Sequence, residues 1–167
     1  MYANFIILIH KSSNIFQQQN HFGWKRWEVR ESCNPIIKSK GFNYKYDVSL
    51  PLSDYYGIAK EMRERLSKVN VDVVNWGHVI DGNLHLNIIT PGQFEIDHEV
   101  KKLVEPFIFE SVVKRGGSIS AEHGLGQCKN NYLGIYAKDE ASVAVMKSLK
   151  ASFDPNGILN PGKFLPS

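Results

Sequence analysis

Two β-prone runs, "VDVV" and "LHLNII", flank the dipeptide Asp81-Gly82, and this pattern constrains the chain more than any other. Asp-Gly tolerates the positive φ angles of a two-residue type I′ turn, so the segment predicts a hairpin with strands over 71–78 and 83–90. That turn pairs Ile80 with Asn83, Val79 with Leu84 and His78 with His85. Side chains alternate along a strand, so Asn87 shares the histidine face, with Trp76 across from it. Opposed residues hold their Cβ atoms roughly 4.5–5.5 Å apart.

At that separation two imidazoles can reach one cation at about 2.0–2.1 Å each. The best third ligand is Glu122 of "SISAEHG", because two histidines and one carboxylate leave positions open for a substrate. Glu122 and His123 are adjacent and would face opposite ways in a strand. Both reach one site only if the backbone turns at Gly124. Imidazole and carboxylate ligands suit Zn²⁺. A hydroxyl bound to such a metal is acidified, which leaves His123 as the general base. The competing reading of His78 and His85 is a hydrogen-bonded polar patch. A zinc hydrolase would use the same three ligands with a metal-bound water, but no HExxH helix is present. A structural, non-catalytic metal module would want a fourth ligand such as Cys128.

The remaining periodicity predicts a strand over 4–9, a helix over 23–33, a strand over 43–49 and a helix over 53–67 capped by Ser53. Ile58, Met62 and Leu66 give the last of these a core stripe. Val100, Leu103, Val104, Phe107, Ile108 and Val112 mark a helix over 96–114, which Pro106 should bend or deprive of a hydrogen bond. Val143, Met146 and Leu149 mark another over 139–152. The polar segment 11–23 reads as a loop. With no strand–GxGxxG–helix unit, the pattern is α+β: an antiparallel sheet with helices packed on one face, in a single domain over 1–167.

At 167 residues and 43% hydrophobic content the chain can bury an ordinary core. A net charge of +3 with interspersed signs gives no footprint for nucleic acid. Cys33 and Cys128 form no CxxC pair and read as reduced thiols. The opening "MYANFIILIH" lacks a basic region and is too short to span a membrane or to read as a targeting signal.

Three motifs in order, "GHVIDGNLHLNI", "GSISAEHGLGQCKNNYLG" and "FDPNGILNPGKFLP", resemble the C-terminal part of the FAD-linked 2-hydroxy acid dehydrogenases of the vanillyl-alcohol oxidase superfamily. The likeness runs from Trp24 to Pro166, and "YKYDVSLP" is similar to the substrate strand of the branch acting on D-2-hydroxyglutarate. The resemblance implies a substrate and cap domain whose flavin-binding partner domain is absent. Residues 1–22 are then atypical, as in a fragment with an internal deletion, inactive alone. It further implies FAD as hydride acceptor, a separate electron acceptor for the reduced flavin, and a mitochondrial location. D-lactate or glycolate is the alternative substrate.

The family's positions put Arg30, Asn34, Lys45, Asn87 and His123 on the substrate, His78, His85 and Glu122 on the metal, and Asn160 near the flavin. Arg30 and Lys45 together suit a diacid, since Arg binds a carboxylate bidentately and Lys offers a point charge. Alternation in "YKYDV" sets Lys45 and Asp47 opposite Tyr44 and Tyr46. At Asn34 close relatives carry a threonine, and Pro35 restricts it away from helical geometry, which predicts that the helix of Arg30 ends early.

Overall fold

A computed structural model describes residues 21–166, with side chains from Trp27 onward. The strand expected over 4–9 and most of the loop over 11–23 lie outside the described residues. The first helix, α1, spans His21–Lys40 and runs through Pro35 rather than ending before it. Proline removes the N–H that would bond the Glu31 carbonyl, but Glu31 and Pro35 are both exposed, so water can serve that carbonyl. Ile37, half a turn beyond, is buried, and its burial favours continuing the helix.

Strand β1 follows directly as Gly41–Ser49. β2 spans Asp72–His78 and β3 spans Asn83–Pro91, giving an antiparallel sheet in the order β1-β3-β2. The alternation expected in "YKYDV" holds: Tyr44, Tyr46 and Val48 are buried while Lys45 is exposed. Those three join Leu84, Leu86 and Ile88 of β3 on one face. Against them pack Ile58, Ala59 and Met62 of α2 (Gly57–Arg65), Leu66 just beyond it, and Val100, Val104, Ile108 and Val112 of α3 (His98–Lys114). Each such side chain contributes roughly 1.5–3 kcal/mol on full burial, so this layer holds the α+β fold together. The opposite face carries Asn83, His85 and Asn87. It becomes apolar at Ile89, beside the Ile36–Ile37 end of α1.

Local chemistry explains the departures. Ser53 sits in a 3₁₀ turn over Leu52–Asp54 and caps nothing, because Tyr55 dives into the core and donates its hydroxyl to the Asn83 carbonyl at 2.6 Å before α2 begins. Asp97 caps α3 by accepting from the Glu99 and Val100 N–H groups, and α3 continues through Pro106. Leu103 is 40% exposed, and Leu149, on α4 (Glu140–Phe153), is 55% exposed, so neither belongs to the core formed by the described residues. Cys33 and Cys128 are free thiols. No helix among the described residues is long and apolar enough to cross a membrane.

The hairpin forms, but with a different turn. Val79–Asp81 makes a 3₁₀ turn and Gly82 alone is left-handed, at φ 72°, so four residues connect the strands instead of two. The Asp81 carboxylate accepts the Asn83 N–H at 3.1 Å, and the Gly82 carbonyl accepts the Leu50 N–H at 3.0 Å. The register slips accordingly: His78 pairs with Asn83, Trp76 with His85 and Val74 with Asn87.

Candidate functional site

A slip of two residues leaves every side chain on its original face, whereas a slip of one would have moved them all. His78 and His85 therefore share a face as the sequence predicts, but diagonally, with ring centroids 6.1 Å apart. The residue opposite His85 on β2 is Trp76, and the residue opposite it on β1 is Asp47.

The segment after α3 supplies the rest. Ser118 exchanges two backbone hydrogen bonds of 3.0 Å with Ser49, and the Ala121 N–H reaches the Asp47 carbonyl at 3.3 Å, so residues 118–121 run along the outer edge of β1. Gly124 then turns with φ +68°, the turn expected from "EHGLG". Glu122 and His123 are thereby brought to the histidine face together. Glu122 Oε1 lies 2.8 Å from His78 Nδ1, and the His123 ring centroid is 5.3 Å from that of His85.

Asp47 stands at the centre of these residues and was not singled out by sequence reasoning. The signal was its place on the Lys45 face of "YKYDV". Its side chain is 6% exposed. Oδ1 accepts the Asn83 amide at 2.7 Å, and Oδ2 accepts the backbone N–H groups of Glu122 at 2.7 Å and His123 at 2.8 Å. Burial pushes its pKa up, but the N–H groups of His123 and Glu122 and the Asn83 amide together outweigh burial and hold it below the ordinary value.

His85 shows the opposite balance. Burial disfavours its charged form and lowers its pKa, although the Asp47 and Glu122 carboxylates pull upward. A neutral imidazole is the form that ligates metal. Among the described residues the donors close enough to share one ion are Asp47, His85 and His123, whose ligand atoms lie within 4.8 Å of one another, whereas the expected trio of His78, His85 and Glu122 is brought to the same face as a His78–Glu122 pair beside His85 rather than as a closed set. Asn83 Oδ1 is buried at the same place without a hydrogen-bond partner.

The other expected contacts vary. Lys45 is exposed on β1 directly across from Asn87. Asn87 is fully buried, its Oδ1 accepting the Asn43 amide at 2.9 Å and its Nδ2 donating to the His85 carbonyl at 3.2 Å. Arg30 and exposed Asn34 lie one turn apart on α1, where the Arg30 guanidinium pairs with Glu31 and stacks 4.8 Å over Trp27. Asn160, at φ 47°, lies in the exposed C-terminal tail, where Oδ1 accepts Lys163 Nζ at 3.5 Å.

Residues 11–164 match the family of FAD linked oxidases, C-terminal domain. A mitochondrial D-2-hydroxyglutarate dehydrogenase of Danio rerio is 46% identical over 140 residues, which cover 84% of this chain and 26% of the relative. The Arabidopsis thaliana protein of the same name is 44% identical over 140 residues, covering 84% of this chain and 24% of the relative. A D-2-hydroxyglutarate–pyruvate transhydrogenase of Saccharomyces cerevisiae is 40% identical over 148 residues, covering 83% and 29%. The chain thus spans about a quarter of the length of the curated relatives it matches.

Proposed function

The chain belongs to the FAD-linked oxidases as a C-terminal domain, and from that premise we propose that it forms the substrate half of a flavoprotein oxidising D-2-hydroxyglutarate to 2-oxoglutarate. The observation that carries this is the convergence of His78, His85, Glu122 and His123 on one sheet face. The donor set fits a divalent metal of the Zn²⁺ type: two imidazoles, one favoured in its neutral form, and a carboxylate already in contact with one of them.

His78, His85 and Glu122 would hold the metal, which when bound would supply Lewis acidity to the substrate hydroxyl and carboxylate. Asn160 would face the FAD held mainly by another domain, which when bound would supply the two-electron acceptor for the hydride from C2. His123 takes the hydroxyl proton on an imidazole nitrogen. Lys45 lies one strand repeat from Asp47 on the same face, about 6–7 Å along β1, a spacing that suits a second carboxylate at the far end of the substrate. Asn87 supports this row by holding the His85 carbonyl, and Arg30 and Asn34 add contacts from α1. A further redox partner reoxidises the flavin. The mitochondrial names of two relatives support a mitochondrial location for this chemistry.

One relative, from Schizosaccharomyces pombe, is named for D-lactate dehydrogenase, so the monoacid is the competing substrate. The test is flavin bleaching under anaerobic conditions in the flavoprotein that carries this domain, with metal content measured in parallel. D-2-hydroxyglutarate should reduce the flavin with a far higher kcat/KM than D-lactate or glycolate, at one metal per protein. Equal reduction by all three would refute the diacid assignment, and full activity without metal would refute the metal.

A further inference from the structure

We propose that Asp47 is the positioning residue that builds the metal centre before any metal arrives; this rests on the reading of His78, His85 and Glu122 as ligands. Two ligands come from a hairpin and one from a loop 37 positions after His85 in the sequence, so something must hold the loop to the hairpin. Asp47 does so from a third strand. Its Oδ2 receives two successive backbone N–H groups, those of Glu122 and His123. Its Oδ1 receives the Asn83 amide, and Asn83 is the residue paired with His78. Asp47 is itself the residue paired with His85. One carboxylate therefore holds the backbone of Glu122 and His123, faces His85 across the strands and is tied through Asn83 to the position opposite His78.

A buried carboxylate is costly unless its lone pairs are filled by donors. Three donors within 2.8 Å fill most of this one, leaving Asp47 poorly suited to serve as a primary ligand. The 4.0 Å between Oδ1 and His85 Nε2 is beyond hydrogen-bond range. Its negative charge, adjoining a site destined for a cation, favours metal binding at long range without coordination. Groups of this kind behind metal ligands typically contribute 10–100-fold to metal affinity.

Co²⁺ titration of the 167-residue chain tests this, read by the visible d–d spectrum of cobalt and by the Kd. The wild type should bind one Co²⁺ and H85A should lose it; absence of binding by the wild type would sink the metal reading and this inference with it. Asp47→Asn should bind Co²⁺ 10–100-fold more weakly with an altered spectrum while still unfolding cooperatively. Wild-type Kd and spectrum in Asp47→Asn would overturn the positioning role and leave the metal reading standing. Complete loss of binding by a folded Asp47→Asn would make Asp47 a ligand and equally overturn it. Should Asp47→Asn fail to fold, amide exchange in the metal-free wild type decides: protected Glu122 and His123 N–H groups support a preformed loop, and protection that appears only with Co²⁺ contradicts it.

Discussion

Asp47 and His85 face each other across β1 and β3, carboxylate Oδ1 and imidazole Nε2 4.0 Å apart, the pKa of the one lowered by its donors against its burial and that of the other lowered by burial itself. This contrast sets the behaviour of the site with pH.

Asp47 binds its proton less readily folded than unfolded, so the unfolded chain takes up more protons as the pH drops. Its contribution to stability is complete above the unfolded pKa of about 3.9 and is lost as the pH falls through the lower folded value. In urea unfolding, the stability difference between wild type and Asp47→Asn should hold or grow as the pH falls through the histidine range, where the carboxylate favours protonated His85, and shrink only below about pH 4. A difference that fades already between pH 7 and 5 would contradict the assignment.

His85 should titrate below an ordinary histidine in the metal-free chain, as followed by its ring-proton NMR shift. Because its folded pKa is lowered, it favours the folded state above the unfolded pKa of about 6.5, and that contribution is lost as the pH falls through the folded value. Asp47 pulls the His85 pKa upward, so Asp47→Asn should lower it further. An increase on that substitution would show that the carboxylate does not act on the imidazole.

Gly82→Ala should destabilise the chain by about 1–3 kcal/mol. The position is left-handed at φ 72°, and an added Cβ would lie 2.3 Å from the Leu50 carbonyl oxygen. Since this turn sets the register of His78 against Asn83, metal affinity should fall with stability. A thermal midpoint matching the wild type would mean that the turn has another conformation.

In the flavoprotein that carries this domain, the proposed diacid site predicts that Lys45→Met raises KM for D-2-hydroxyglutarate about 10–100-fold, the loss of a charged hydrogen bond of about 1.5–3 kcal/mol. KM for D-lactate, which lacks the second carboxylate, should change little. Steady-state kinetics on both substrates distinguish this from general damage, which would weaken both alike.

The sheet face of the site was legible because parity survives a turn of the wrong length. Asp81-Gly82 announces a turn, but its length depends on the bond between Gly82 and Leu50, a contact between segments more than thirty residues apart that no local pattern reveals. The two-residue slip it produces left His78 and His85 on the predicted face while changing their partners. Asp47 escaped notice for the same reason: an aspartate in a strand reads as a surface charge until a later loop donates its N–H groups to it. Pro35 misled in the other direction, since its local effect on α1 is outweighed by the burial of Ile37. Leu149 followed a helical stripe correctly, yet the described residues bury only the Val143 side of α4 deeply.

The most direct test of the metal centre is a crystal structure of the chain soaked in Zn²⁺, with diffraction collected at the zinc edge. The account predicts one strong anomalous peak bonded to His78, His85 and Glu122 at about 2.0–2.2 Å, with Asp47 still on the N–H groups of Glu122 and His123. A peak bonded to Asp47, His85 and His123 instead, or none on this face of the sheet, would contradict it.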